Sequence, residues 1–351
     1  MKTPRPPIIP HSRPAVGPRE IAAVVRVLRS RRLATGETVT AYENALARAC
    51  RAGGAVSTSS GTAALHLALL ALGVGRGDAV VIPSYACAAI LHAVRHAGAT
   101  PALADADPET GQMCPVSTRK ALSRRTRAIV LPHLFGEPVD PEAFLALGIP
   151  LVEDIAQALG ASVRGRPAGS FGRVAVMSSY ATKLAATGHG GAVLSADRRL
   201  LGRVREMLAY DQRDTDGPRF NYRLSDIAAA LGLAQIGRLP GFLRKRRTLA
   251  ALYDALLAGA PFTPVHAAPG GVFYRYVVRC PRPQAGIARR LATAGIEAKP
   301  PVFIPLHRLL NLPPRRFPGA EAAHRRFLSL PIYPDLSPAG ARRVIRALLD
   351  A

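Results

Sequence analysis

Strand and helix patterns alternate over the first two thirds of this 351-residue chain. They predict an α/β protein with a mainly parallel, doubly wound sheet and a smaller C-terminal α/β unit. Several candidate strands are continuous apolar runs, among them Ala79-Val80-Val81-Ile82 and Ala128-Ile129-Val130-Leu131, as helices on both faces of a sheet require. The alternation also gives way after about residue 235 to a long basic helical segment, Pro240–Leu257, leading away from the sheet.

Seven strands are expected, at Gly54–Thr58, Ala79–Pro83, Pro101–Ala104, Ala128–Pro132, Pro150–Glu153, Arg173–Ser178 and Gly191–Ser195. Between them lie helical segments such as Thr62–Leu72, Ser84–Ala97 and Ser117–Leu122. Ser225 is placed to cap a helix over Ile227–Leu239. Beyond it come strand-like Val272–Arg279, helical Gln284–Ala294 and a last helix opened by Ser337 and Pro338. The expected division is a large domain over 1–238 and a small one over 239–351. Only the Pro-rich start, Met1 to Pro14, reads as a disordered tail, and without an apolar run it is no signal peptide. Leu65–Val74 is too short to span a bilayer, and Ala79–Val94 is interrupted by Pro83 and Ser84.

With 48% hydrophobic residues the chain can bury a full core. Cys50, Cys87, Cys114 and Cys280 show no metal-like spacing and read as free thiols of a cytoplasmic protein. The net charge is +24, and 42 of the 47 basic residues are arginines. They are spread over many segments, with 5% aromatic residues and no tryptophan, unlike the clustered basic and aromatic surface of a nucleic-acid binder. No specific nucleic-acid partner is expected, although the charge would draw anionic substrates.

Three segments carry chemistry. Ser59-Ser60-Gly61-Thr62 joins a strand to an apolar helix, where backbone N–H groups, the helix dipole and hydroxyls can hold an anion. The bland alternative is an ordinary Ser/Thr cap. Asp154 ends the apolar strand Pro150-Leu151-Val152, where open α/β sheets bind ligands, and could pair with a protonated pyridine nitrogen. It could also simply cap the following segment. Gln157 follows, in reach of a ring hydroxyl. Lys183 lies between Ser178 and a glycine-rich turn, in a chain with only five lysines. Burial would lower its pKa and free its amine for Schiff-base chemistry, and Ser178 could reach a phosphate. Otherwise Lys183 is a surface lysine. A phosphate cradle, a strand-end acid and a lysine in this order fit pyridoxal 5′-phosphate, held by phosphate, ring nitrogen and carbonyl. The residues alone do not assign Asn221-Tyr222-Arg223 a role beyond a polar loop. No metal site is read.

Together these segments resemble the DegT/StrS family of pyridoxal-phosphate-dependent sugar aminotransferases, of fold type I in the aspartate aminotransferase superfamily. The resemblance runs from Arg13-Pro14 through Ser60-Gly61-Thr62-Ala63-Ala64-Leu65, Ala97-Gly98-Ala99-Thr100-Pro101, Pro132-His133-Leu134-Phe135-Gly136 and Glu153–Gly160. It closes with Asn221-Tyr222-Arg223, Pro305-Leu306-His307 and Leu328-Ser329-Leu330-Pro331. It implies that Lys183 forms the Schiff base and then shuttles the proton, that Asp154 pairs with the ring nitrogen, and that Gln157 lies by the ring hydroxyl. Ser60, Gly61, Thr62 and Ser178 fall to the phosphate. Asn221 reaches the cofactor of a neighbouring subunit, implying a homodimer with shared sites. His307 approaches substrate.

The sequence departs from the family at three places. Cys87 stands where an aromatic ring commonly stacks on the cofactor, leaving Tyr85 or another ring to substitute. Leu184 replaces a frequent Asn, and His189 replaces a usual Glu or Asp. Tyr85 and His189, with His307, are the substrate candidates. Lys183 argues against the family's dehydratase branch, where histidine takes its place. The implied reaction moves an amino group from L-glutamate to a keto-sugar, nucleotide-linked, in two half-reactions. The alternatives are a non-nucleotide cyclic ketone as acceptor, a cofactor-binding regulator, or a paralogue without turnover.

Overall fold

The computed structural model describes residues 7–211, 214, 216–266 and 269–351. Its main sheet contains β1 (Gly54–Thr58), β2 (Ala79–Pro83), β3 (Thr100–Ala104), β4 (Thr126–Pro132) and β5 (Leu151–Asp154). A short hairpin, β6 (Ser162–Val163) and β7 (Arg166–Pro167), precedes the last two sheet strands, β8 (Val174–Ser178) and β9 (Gly191–Ser195). The order is β1-β9-β8-β5-β4-β2-β3. Neighbours pair in parallel except at β9, which is antiparallel to both β1 and β8. The mainly parallel seven-stranded sheet is therefore present, each strand within two residues of its expected range. Every residue of β2 and β9 is buried, the two-sided burial that apolar runs signal.

Helices α1 (Pro18–Ser30), α2 (Glu37–Ala49), α3 (Gly61–Ala71), α4 (Ala88–His96), α5 (Pro115–Ala121), α6 (Glu142–Leu145) and α7 (Arg198–Leu208) surround the sheet. Apolar on all sides, α3 packs among β1, β8, β9, α4 and α7. Helix α4 starts later than Ser84, because Ser84 is held in extended links: its N–H donates to Ala104 O and its carbonyl accepts from Leu306 N–H.

Next comes α8 (Asp226–Leu257), a single 32-residue helix. The two helices expected on either side of Pro240 are thus one, and the expected boundary at 238/239 falls inside it. Proline removes one ladder hydrogen bond, but Leu239, Phe242 and Leu243 bury the flanking turns and hold the helix together. Strands β10 (Thr263–Pro264), β11 (Tyr276–Arg279) and β12 (Phe327–Leu330) form an antiparallel sheet in the order β10-β11-β12. With it lie α9 (Gln284–Thr293), α10 (Leu306–Leu309), α11 (Pro318–Arg326) and α12 (Pro338–Leu349). Tyr253, Tyr276, Ile287, Leu328 and Val344 share one core there. The strand expected over Val272–Arg279 is shorter, because Val272 and Arg275 donate instead to Gly136 O and Phe135 O beside the main sheet.

Of the expected N-terminal tail, residues 1–6 lie outside the described residues. Residues 7–14 correct the expectation of disorder. Ile9 forms a parallel bridge to Ile296, and the His11 ring is buried beside Ser329. Among the described residues no helix is long and apolar enough to cross a membrane.

Asp226 links the start of α8 to the start of α2. Its Oδ1 accepts from the N–H groups of Gly36 and Val39, both at 2.9 Å, so it caps α2, which has no capping side chain of its own. It is 4% exposed. Asp226→Ala leaves those N–H groups unanswered and should cost about 2–3 kcal/mol. Urea unfolding should show a lower midpoint at unchanged slope.

Candidate active site

The parallel strands β1, β2, β4, β5 and β8 all end on one edge of the sheet, and the reversed β9 begins there. Their connections enclose a cavity of about 330 Å³ containing Ser60, Gly61, Thr62, Cys87, Asp154, Gln157, Ser178, Lys183 and His189. This is the position where open α/β sheets take ligands.

The Ser60 hydroxyl accepts from Ala63 N–H and caps α3. Helix geometry leaves the N–H groups of Gly61 and Thr62 without intrahelical acceptors, so this end is ready for an anion. The turn is tightly framed. A Cβ on Gly61 would lie 2.7 Å from Ser178 Cβ, and one on Gly191 only 2.5 Å from Ser60 O. Glycine at both positions lets β8 and β9 approach the turn and brings Ser178 to it.

Two adjacent carboxylates on β5 point to opposite faces. Glu153, fully buried, accepts from Gly169, Phe171 and Gly172 N–H and from His133 Nε2. Val139 N–H donates to His133 Nδ1 at 2.9 Å, so the ring proton sits on Nε2. Burial alone would raise the Glu153 carboxyl, but His133 and the backbone donors hold it below its ordinary pKa. Asp154 faces the cavity with one hydrogen bond, from Ala156 N–H at 2.9 Å. Burial pushes its carboxyl above the ordinary value, and neither that bond nor the charge of Lys183 offsets it. Gln157 Oε1 accepts from Phe135 N–H at 2.7 Å, which leaves its amide N–H₂ as a donor in the cavity.

Lys183 sits on a loop rooted by the buried side chains of Leu184, Ala185 and Ala186 and by Thr187, whose N–H donates to Ser179 O. Its Nζ lies 4.8 Å from the centre of the Tyr274 ring. Burial would raise the Tyr274 phenol, but Lys183, Arg275 and a contact to Thr182 Oγ1 at 3.3 Å bring it below its ordinary pKa. Cys87 lines the cavity with an exposed thiol. His189 meets the Tyr180 ring edge-on, with centres 5.2 Å apart.

Two expected substrate residues are elsewhere. Tyr85 is fully buried, edge-on to Phe327, and supplies no ring to the cavity. His307 is also fully buried and outside the cavity. Its Nδ1 bonds Ser84 Oγ, its Nε2 bonds Glu321 Oε1 and its ring stacks on Phe317. Packing on Phe327 and hydrogen bonds to Ser84 and Glu321 keep both side chains out of the cavity. Asn221 is exposed and does not line this chain's cavity, on a segment tied in by Ser59 N–H donating to Tyr222 O. The sequence does not single out Tyr274, His133 or Tyr180 as residues near the site. Nothing local marks Tyr274, which reaches Lys183 from 91 positions away in the chain, whereas His133 and Tyr180 lie inside segments already singled out.

The model of the DegT/DnrJ/EryC1/StrS aminotransferase family matches residues 14–349. The chain belongs to that family. Among solved structures it is similar to DesV of S. venezuelae, solved in complex with a ketimine intermediate. The identity is 35% and the TM-score 0.89, over 94% of this chain and 93% of that one. The sugar aminotransferase CalS13 from Micromonospora echinospora is 30% identical, with a TM-score of 0.89 over 98% of this chain and all of that one. Spr1654 from Streptococcus pneumoniae, in its PLP form, is 26% identical, with a TM-score of 0.93 over 98% of each. The fold is thus that of the family's pyridoxal-phosphate enzymes, and pyridoxal 5′-phosphate is the cofactor.

The cavity fits that group. It offers a half-buried carboxylate that lacks a full countercharge, a free amide donor on Gln157, an anion-ready helix end and an amine. Among the described residues no three His, Cys, Asp or Glu side chains are grouped to hold a metal ion.

Asp154 yields a test with a defined sign. A carboxyl whose folded-state pKa is raised favours the folded state while protonated, and loses that contribution as pH rises through its folded pKa. Ionised Asp154 therefore weakens the apoprotein at neutral pH. Asp154→Asn should raise the apoprotein's melting temperature at pH 7, with the gain shrinking in acid. The same change should weaken cofactor binding in a titration.

Proposed function

We propose that this chain is a sugar aminotransferase that carries an amino group from L-glutamate to a nucleotide-linked keto-sugar. The observation that carries this is the sharing of one cavity by Lys183, Asp154 and the open end of α3. The similarity to CalS13, a sugar aminotransferase, supports the acceptor class. The net charge of +24 supports an anionic substrate.

Bound in the cavity, the cofactor supplies a carbonyl carbon that takes up and hands on the amino group, and a ring that withdraws electrons from the bond being broken. The α3 end, with Ser60, Gly61, Thr62 and Ser178, holds the phosphate. Asp154 keeps the ring nitrogen protonated, and in return gains the positive partner it lacks. Gln157 donates its amide N–H to the ring oxygen. Lys183 would hold the carbonyl carbon through its ε-amine, and its free amine would serve as general base and acid toward the donor's α-proton. The Tyr274 ring holds the lysine in place. Cys87, Tyr180 and His189 bound the space left for the substrate. Glutamate and acceptor use the site in turn, so the kinetics are ping-pong.

Asn221, exposed on an anchored segment, serves the cofactor phosphate of a second copy, and the working unit is a homodimer. The four free cysteines agree with a cytoplasmic location. The boundary between a cofactor-binding unit and a smaller C-terminal unit lies along α8.

An absorbance spectrum of the purified protein with pyridoxal 5′-phosphate tests the reaction. A visible band should form, give way to near-ultraviolet absorbance on adding L-glutamate, and be absent in Lys183→Ala. A band indifferent to glutamate would remove glutamate as donor. Turnover of a keto-inositol but of no nucleotide sugar would move the acceptor to a non-nucleotide cyclic ketone.

A further inference from the structure

The bonds that keep His307 out of the cavity end on a segment that forms the cavity wall. Ser84 directly follows β2, and three residues on, Cys87 stands at the N-cap of α4. Cys87, Ala89 and Ile90 line the cavity. Ser84 is fully buried. Its N–H donates to Ala104 O and its carbonyl accepts from Leu306 N–H, both at 2.7 Å. Its hydroxyl lies 2.6 Å from His307 Nδ1. Leu306 is buried in one core with Ala86 and Ile90. The start of α10 thus holds the β2–α4 connection by main chain, by apolar packing and by one side-chain bond. Only that last tie depends on the chemistry of a polar side chain.

The far side of the ring is fixed as well. His307 Nε2 lies 2.8 Å from Glu321 Oε1, and Arg308 bonds both oxygens of that carboxylate. Arg308 first, with His307 helping and burial opposing, lowers the Glu321 carboxyl to about 2, so it is ionised and only accepts. The His307 proton therefore sits on Nε2, and the Ser84 hydroxyl donates to Nδ1. Phe317 stacks on the ring, with centres 4.8 Å apart and planes 16° from parallel, which hinders its turning. Helix α11, which carries Glu321, is capped by Asp105, just after β3. The two Asp105 oxygens accept from Gly319 and Ala320 N–H at 2.9 and 2.8 Å. This run of bonds therefore starts and ends on the main sheet. Serine, histidine and glutamate make up a hydrolytic triad in other folds, but here Ser84 and His307 are both 0% exposed and neither lines the cavity. No substrate reaches the hydroxyl.

We propose that His307 is a positioning residue for the substrate: through Ser84 it fixes the β2–α4 connection and so sets the place of Cys87, Ala89 and Ile90 on the cavity wall. This rests on the function proposed above, in which Cys87 bounds the space left for the substrate. A hydroxyl deprived of its acceptor in so enclosed a position turns toward another, and the connection shifts with it. Asp154 stands on β5 and Lys183 on the loop after β8. The effect therefore falls on the fit of the substrate and not on the proton transfer.

The test compares the full-length wild type with His307→Leu, His307→Asn and Ser84→Ala. Asparagine keeps an acceptor near the place of Nδ1, whereas leucine and alanine break the bond from either side. In the cofactor-free protein, hydrogen exchange over residues 84–91 should be roughly fivefold faster or more in His307→Leu and Ser84→Ala, and unchanged at the turn over 169–172. In the holoenzyme, single-turnover spectra with L-glutamate should show the half-saturating concentration raised roughly 5- to 100-fold, as an unpaired buried hydroxyl predicts. The limiting rate should stay within roughly threefold, since binding alone is weakened. His307→Asn should recover most of both effects, and Ser84→Ala combined with His307→Leu should be no worse than either alone. Should leucine prevent folding, Ser84→Ala, the smaller change, carries the same comparison. Exchange that rises throughout the chain, or not at all over 84–91, would overturn the proposal. So would a limiting rate that falls while half-saturation stays in place. If the wild type uses another amino acid in place of glutamate, the donor assigned above falls, and half-saturation by that amino acid decides the role of His307. If it accepts no amino acid, both proposals fail.

Discussion

Everything at the candidate site depends on how β5 disposes of two neighbouring carboxylates. Glu153 is held by three backbone N–H groups and His133, deep on one face of the sheet. Since successive side chains of a strand alternate, anchoring Glu153 commits Asp154 to the other face and into the cavity. The hydrogen bonds of Glu153 also set the turn over 169–172 that feeds β8, and β8 delivers Ser178 and, five residues on, Lys183. One fully satisfied acid thus orients one unsatisfied acid and aligns the strand that carries the lysine. The free energy held in Glu153 is structural, and the strain left on Asp154 is what a ligand can relieve.

The same economy appears at the helix end. Main-chain atoms of β9 lie so near the Ser60–Gly61 turn that no side chain fits between them. The reversed direction of β9 matters here, because it brings the start of that strand to the edge where the parallel strands finish. Donor groups and acid are therefore set by main-chain packing of the sheet and not by long mobile side chains, which favours a pre-organised site.

The sheet was legible because its strands are apolar runs bounded by turn residues, and the chemistry was legible because Gly61, Asp154 and Lys183 sit at strand ends. What escaped depends on contacts between distant segments. Tyr85 and His307 look like ligand residues from their neighbours in sequence, but Phe327 claims one, and Ser84 with Glu321 claims the other. Tyr274 approaches Lys183 only because Val272 and Arg275 are hydrogen-bonded to the segment after β4. The proline-rich start reads as a tail by composition, yet Ile9 and His11 are drawn in by Ile296 and Ser329. Pro240 reads as a helix end from local rules, and burial on both sides overrides it.

Helix α8 runs for about 48 Å at the standard rise per residue, from the cap it lends α2 to the core around Tyr253. Its ladder of hydrogen bonds has a rung missing at Pro240, and the rungs are what make such a rod stiff. Its far half carries Arg246, clamped to the carbonyls of Phe273, Tyr274 and Ile332. Tyr274 is therefore tied to α8 through Arg246 and, through its neighbour Arg275, to Phe135 beside the main sheet. The ring beside Lys183 is thus braced from two directions at once, and the weak point of the rod is bridged by contacts that lie off its axis.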